Sequence, residues 1–587
     1  MRRSLKALLS VVLCVCLLVP VGAGSIASSA QPAAGALSLT SDAPFGTFLA
    51  RLVNAVSDFL INTLILGVFN AFLPTTSKVA DYDSFDLDTY GDFYPGTDPF
   101  IDEARPGAQW SLGYAERSIL PADFGTRPYV KGSLAPYSFT TKTLDGLRVR
   151  TVVLDDGSGR GKIAFCVIDA IGIANADVRK IRAAASDIAI HNNIVSINVS
   201  VSHTHNGIDS QGVWTDPAGT TINNLANALT GFTQVKSGVD ATFLQTMIDR
   251  TSESIAAACG RLEPGSLYLA KKSISDYVRD RTYPNAMDDN LYRLRFVPDD
   301  SASRPTIIAT FACHPETTSY SSKEISADFI YYMEEAVNRG GENFIFIQGN
   351  VGTVTSSRSN SNDGLALNNH EEAARFGYEM GYITLALTAT ARQCETLNKA
   401  WGDLLGVEQY AGTDGYSVWY KNWQPVMETA VTPILNIRME QFILPVDNGI
   451  FKAMGKASIA NNLILKEKGT GACYSVTELG YMEIGRDLKV LISPGEIMSE
   501  ILVGGPGLDG FKYDSLRSMF GENLIIFDLM NDAIGYIAAD PNYVMVGMQY
   551  NPNNGAYESD SWCLFSFGKN TGSTIVERFI QLEQSVR

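Results

Sequence analysis

From residue 109 onward the chain alternates apolar, β-branched runs with helix-patterned stretches, and this order limits the folds open to it more than any other feature. The strand-like runs include "RVRTVVLDD", "KIAFCVID", "NIVSINVSVS", "TIIATFAC", "NFIFIQG" and "LKVLISPG". Between them, "ADVRKIRAAASDIA", "ATFLQTMIDRTSESIAAACG" and "EEAARFGYEMGYITLALTATAR" carry helical periodicity. The pattern predicts an α/β protein with a mixed β-sheet core covered by helices in a single large domain.

In open α/β sheets, sites gather at the carboxyl ends of strands. Here "NIVSINVSVSHTHNG" ends in His203 and His205, "TIIATFACHPE" in His314 and "LKVLISPGE" in Glu496. "KIAFCVID" ends in Asp169, and "NFIFIQGNVGTVTSS" delivers a Gly-rich turn followed by hydroxyls at Thr353, Thr355, Ser356 and Ser357. Strand parity predicts that Val195, Ile197, Val199, Val201, His203 and His205 share one buried face. Two or three histidines with a carboxylate form a standard catalytic zinc set. The competing reading is a pair of hydrogen-bonded histidines in a loop. His203, His205, His314 and Glu496 are thus the candidate metal residues, while His191 and His370 read as surface or capping residues. The sequence contains no G-x-S-x-G elbow, Walker loop or dinucleotide fingerprint, so a conventional serine hydrolase is unsupported.

The net charge of −17 argues against a nucleic-acid partner and against electrostatic docking on anionic lipid. Residues 1–30, basic at Arg2, Arg3 and Lys6 and then apolar, read as a signal peptide, which predicts a secreted or extracytoplasmic protein. The cysteines beyond it are widely and irregularly spaced, so buried free thiols and disulfides are both open. Residues 31–108 form an N-terminal unit. Within it, 44–73 is an amphipathic helix, packed on the domain or in peripheral contact with a membrane, and 74–108 is a linker or extended arm.

Taken in order, the motifs of residues 109–587 resemble the neutral/alkaline (non-lysosomal) ceramidase family, zinc amidases that cleave the amide of ceramide. "SHTHNGIDSQG" is similar to the family's THTHSGPGG, and "TFACHPETTSYSSKEISADF" to its NFAVHP segment with ISADY downstream. "QGNVGTVTSS" is similar to QGNLGDVSPN, "ISPGE" to GxPGE, and "NDAIGYIAAD" with "AYESDS" to the GYxTTxEEY…YE region. The resemblance implies Zn2+ held by His203, His314, Glu496 and Tyr536. It implies that His205 contacts the substrate carbonyl or the oxyanion, and that Arg281 in "VRDRTYP" and Tyr557 in "YES" hold substrate or the charged intermediate.

The departures fall in the same region. Thr355 stands where the family has its catalytic serine, with Ser356 as the neighbouring hydroxyl, and Thr353 replaces an aspartate. "NGIDSQGVW" replaces the SGPGG loop, and the family's C-terminal immunoglobulin-like domain is expected to be missing. The implied function is hydrolysis of the amide of a lipid-like N-acyl substrate by metal-assisted attack of water. The alternatives are a secreted zinc hydrolase of another ester or amide, and a non-catalytic lipid- or glycan-binding relative.

Overall fold

The computed structural model describes residues 43–587 except 133–137, 215–223, 225–235, 319–321, 358–368, 391, 398, 400–423, 487 and 554; the expected leader at 1–30 lies outside the described residues. Apolar, β-branched runs build a large mixed sheet from β1 (Trp110–Ser118), β2 (Arg148–Asp155), β3 (Lys162–Ile168), β4 (Ile194–Val201), β5 (Glu263–Ser273), β6 (Asn290–Pro298), β7 (Thr306–Phe311) and β8 (Asn343–Gln348). Their spatial order is 8-7-6-5-1-2-3-4. The β7–β8 and β3–β4 pairs are parallel, and the other neighbours run antiparallel. A second mixed sheet contains β9 (Leu435–Pro445), β10 (Cys473–Ile484), β11 (Leu488–Ile492) and β12 (Leu524–Phe527), with β11 parallel to β12.

The two sheets pack face to face. Ile163, Phe165 and Val167 of β3 point into the interface, against residues such as Met482, Val490 and Phe527 of the second sheet. Ala164, Cys166 and Ile168, the alternate residues of the same strand, point the other way into a helix-covered core. β8 divides likewise, with Ile345 and Ile347 between the sheets and Phe344 and Phe346 under helices. Strands buried on both faces show no polar alternation, which is why these runs read as continuously apolar.

Seven helices position the layers: α1 (Ala43–Asp58), α2 (Gly67–Phe72), α3 (Asn175–Ala184), α4 (Ala241–Cys259), α5 (Phe329–Arg339), α6 (Asn369–Ala386) and α7 (Thr571–Ser585). Residues of α3 and α4 cover one half of the large sheet, and those of α5 and α6 the other half. Residues of α7 cover the outer face of the second sheet, so the domain is a helix–sheet–sheet–helix sandwich. The expected mixed sheet under helices is present as two sheets, and "LKVLISPG" belongs to the second. Arg182 of α3 clamps the layers together through a buried pair of hydrogen bonds to Glu478 of β10, at 2.8 and 2.9 Å.

α1 and α2 are joined by a π-helical stretch, Phe59–Leu66, into one rod. Residues 74–108 lie along the second sheet. Ala80–Asp81 pairs with the short strand Ile464–Lys466, and Thr97 N donates to Ile437 O at 2.8 Å. The cysteines among the described residues are all free.

Candidate metal centre

The parallel pairs deliver their C-terminal ends to one region. β4 stops at Val201, and His203 takes a left-handed backbone with φ 68°, a conformation that costs a non-glycine residue about 1–3 kcal/mol and clusters at functional sites. Strand parity therefore does not carry the histidines, contrary to the sequence expectation. The turn after the strand does. His205 N donates to Pro315 O at 3.0 Å and His314 N to Val354 O at 2.9 Å, which stitches three loops side by side. Glu496 and Tyr536 are register partners in a short parallel pair, Glu496–Ile497 with Tyr536–Ile537.

His203, His205 and His314 form a buried cluster that could hold a metal ion, with their ligand atoms within 4.8 Å of one another. The Nδ1–H of His203 donates to Ile171 O at 2.6 Å, and that of His314 to Val354 O at 2.9 Å. These bonds fix the tautomer and aim both Nε2 atoms inward, the outer-shell arrangement usual for metal-ligating histidine. Glu496 Oε2 lies 3.4 Å from His203 Nε2 and 3.3 Å from His314 Nε2, and the Tyr536 hydroxyl is 3.3 Å from His314 Nε2.

Electrostatics mark the same spot. Burial keeps His314 below the ordinary imidazole value, so a bare lone pair faces a carboxylate oxygen that has no hydrogen-bond partner. Acceptor against acceptor in a dry pocket is unfavourable, and a shared cation relieves it. The donor set of two imidazoles, a carboxylate and a phenol thus fits a metal such as zinc. Burial also depresses His203, but the Glu496 charge outweighs it and leaves that pKa raised. Burial would raise Glu496, yet His203 and His314 hold it well below the carboxylate range. Burial and the Glu496 charge push Tyr536 well up. His205 differs from the other two. Burial and then the neighbouring His203 push it far down, and its buried Nδ1 has no partner.

Three residues that the sequence reading did not single out hold this arrangement. Gln348, the last residue of β8, accepts from Cys313 N at 3.3 Å and donates to Cys313 O at 2.9 Å and Ser202 O at 3.4 Å. It thereby ties the His203 and His314 loops together. Asp528, just after β12, accepts from Val351 N at 2.9 Å and Ile497 N at 3.1 Å, joining the Gly-rich turn to the Glu496 strand. Glu316, two residues past His314, accepts from Arg281 Nη1 at 2.6 Å and from the Thr355 hydroxyl at 3.0 Å. Their only signal was position at the end of a run, which "QG", "FD" and "HPE" share with many unremarkable loops.

The other candidates separate into two groups. Arg281 and Thr355 meet at Glu316, and the Arg281 guanidinium stacks 4.7 Å above the Trp562 ring. Thr355 also forms a parallel bridge with His314. Ser356 is buried opposite Val278, and Thr353 is turned to Asp280 at 2.5 Å. Tyr557 sits in the hairpin of Gly547–Asn551 and Ala556–Asp560, its ring tilted against Tyr550 with centroids 5.2 Å apart. Among the described residues neither a hydrogen bond nor a ring contact joins it to the histidines, and its buried hydroxyl has no hydrogen-bond partner. Asp169 is spent on Arg150, at 2.9 and 3.0 Å. His191 is bonded to Asp187 O on its own helix, and His370 stands beside Tyr332.

No family model matches the sequence, and no curated protein does. Solved structures do match the fold. The neutral ceramidase from Pseudomonas aeruginosa superposes with a TM-score of 0.54 at 15% identity, covering 81% of this chain and 74% of that one. A ceramidase complexed with C2 superposes with a TM-score of 0.53 at 13% identity, covering 81% and 75%. The chain has the neutral ceramidase fold.

Proposed function

We propose that this chain is a zinc-dependent amidase that cleaves the amide of an N-acylated, ceramide-like lipid to a fatty acid and an amine. One observation carries the reading: the inward Nε2 atoms of His203 and His314 converge on Glu496 Oε2, at 3.4 and 3.3 Å, within a neutral ceramidase fold. His203, His314, Glu496 and Tyr536 are the proposed ligands. Zinc, when bound there, supplies a Lewis acid and lowers the pKa of water toward about 7.

The chain's own groups would do the rest. His205, neutral and free at Nδ1, donates its ring N–H to the substrate carbonyl oxygen, or takes the proton released by the attacking water and passes it to the leaving amine. Arg281, locked between Glu316 and Trp562, presents a fixed positive edge to developing negative charge. The unpartnered Tyr557 hydroxyl is a further polar contact for bound lipid. Thr355, with Ser356 beside it, takes the place of the serine in the resembling family. Export through a leader at residues 1–30 belongs to the same proposal and is supported by its basic-then-apolar sequence.

Elemental analysis of the purified protein, with a fluorogenic N-acyl lipid assay, tests the proposal. The expected result is about one zinc per chain and fatty-acid release that chelation and His203→Ala both abolish. Protein without metal, with turnover unchanged in His314→Ala, sinks the metal reading. Bound zinc without release from any N-acyl lipid favours another ester or amide, or a binding protein.

A further inference from the structure

The N-terminal rod of α1, the π-helical stretch and α2 turns its polar side chains toward the domain. Arg51 donates to Asp509 O at 2.8 Å, and Ser57 donates to Val546 O at 2.6 Å. Asn54 bonds Met548 twice, donating to its O at 2.7 Å and accepting from its N at 2.9 Å. Farther along, Asn62 accepts from Gly449 N at 2.7 Å, and Asn70 donates to Gly449 O at 2.8 Å. Six of its large apolar side chains point away from the domain. Phe48, Leu52, Phe59, Leu64, Val68 and Phe72 are 45–75% exposed. Such a stripe is opposite in sense to that of an ordinary surface helix, whose apolar face is buried and whose polar face is wet.

By length and composition Gly46–Phe72 could cross a membrane. Its inward hydrogen bonds, spread from Arg51 to Asn70, instead lay it flat along the domain. Its position is next to the candidate centre. Leu66 is buried in one cluster with Met498 and Tyr536, and Ile61 and Trp562 pack against that cluster. Gly46 sits so close to the Tyr550 ring, on the hairpin that carries Tyr557, that a Cβ would fall 2.6 Å from it. The inner side of the rod therefore packs beside the proposed site, with the exposed stripe on its outer side.

We infer that the rod is an interfacial helix that lies in the plane of a neutral or zwitterionic bilayer and seats the candidate centre at the lipid surface. Charge selects that occupant. The rod's charged residues are Arg51 and Asp58, Arg51 is tied inward, and the chain's net charge of −17 repels anionic headgroups. Binding then comes from apolar side chains entering the acyl boundary. Delivery of an N-acyl lipid to the centre rests on the proposed function; binding to the bilayer does not.

Flotation of the exported protein with phosphatidylcholine vesicles tests this, against a variant carrying Leu52→Gln, Phe59→Gln and Val68→Gln. The native chain should float at least about tenfold more than the variant, with no loss at about 0.5 M salt and no gain on adding anionic lipid. The variant's thermal midpoint controls for folding. Phe59→Trp gives a second reading, a blue shift of its emission when vesicles are added. Equal flotation of native and variant chains, or none by either with no emission shift, overturns the inference. So does a native dimer in sedimentation that the substitutions split without any vesicle binding, because the stripe would then be a contact between copies. Both readings are made without turnover, so a failure to hydrolyse N-acyl lipid leaves the result standing.

Discussion

Glu316 accepts the Thr355 hydroxyl at 3.0 Å through the same oxygen that accepts Arg281 at 2.6 Å. Burial alone would raise this carboxyl. The Arg281 charge, with the Thr355 hydrogen bond, overcomes it and holds the pKa at about 2. A permanent carboxylate thus stands beside the histidines. In the resembling family's motif the nearby acid is an aspartate at position 353, and here that position is Thr353. The carboxylate that reaches the Thr355 hydroxyl comes instead from the neighbouring loop, through Glu316.

Thr355 and Glu316 should therefore act as a unit. Thr355→Ser keeps the hydrogen bond and should retain activity within a few-fold, whereas Thr355→Val and Glu316→Gln should each lower kcat by about 100-fold. Steady-state kinetics on an N-acyl substrate check this. Full activity in Thr355→Val would remove the hydroxyl from the chemistry.

Removal of one proposed ligand should cost more than loss of its support. His203→Ala and His314→Ala should each reduce metal content to background and turnover by more than about 100-fold, since outer-shell changes alone cost about 10–100-fold. Metal titration and activity measured on the same samples separate failed binding from failed chemistry.

Gln348→Leu removes the amide that joins the His203 and His314 loops and leaves the backbone groups of Cys313 without their bonds to it. Metal affinity should fall about 10–100-fold, and stability by about 1–3 kcal/mol for the buried groups left unpaired. Competition with a metal-binding dye and chemical denaturation measure the two effects. Unchanged affinity would show that the loops hold their geometry without it.

Burial raises the Asp145 carboxyl to about 7, against hydrogen bonds from Ser326 and from Ala327 N. In the unfolded chain the same group titrates near 3.9, at about the ordinary aspartate value. Its contribution to stability is then full below about pH 4 and is lost as pH rises through about 7. Asp145→Asn keeps the shape and removes the titration, so the variant should gain on the native protein by about 2–3 kcal/mol between about pH 5 and pH 8. Denaturation curves at both pH values test it, and a constant difference would contradict it.

The sequence by itself determined which segments are strands and helices, because apolar runs and helical periodicity are local properties. It also determined which residues stand at strand ends, and so pointed to His203, His314 and Glu496 before any distance was known. It could not decide that β11 and β12 form a second sheet, since a strand buried on both faces reads the same wherever it pairs. Nor could it show that His203 leaves the strand with a left-handed turn, or that Glu316, Gln348 and Asp528 support the site. These depend on hydrogen bonds between segments tens of residues to well over a hundred residues apart. The rod shows the same division. Its stripe was legible in the spacing of Arg51, Asn54, Asp58 and Asn62, but packing alone decided that the polar side faces the protein and the apolar side is exposed. Periodicity fixes that a helix has two faces; the groups that meet each face exist only once the chain has folded.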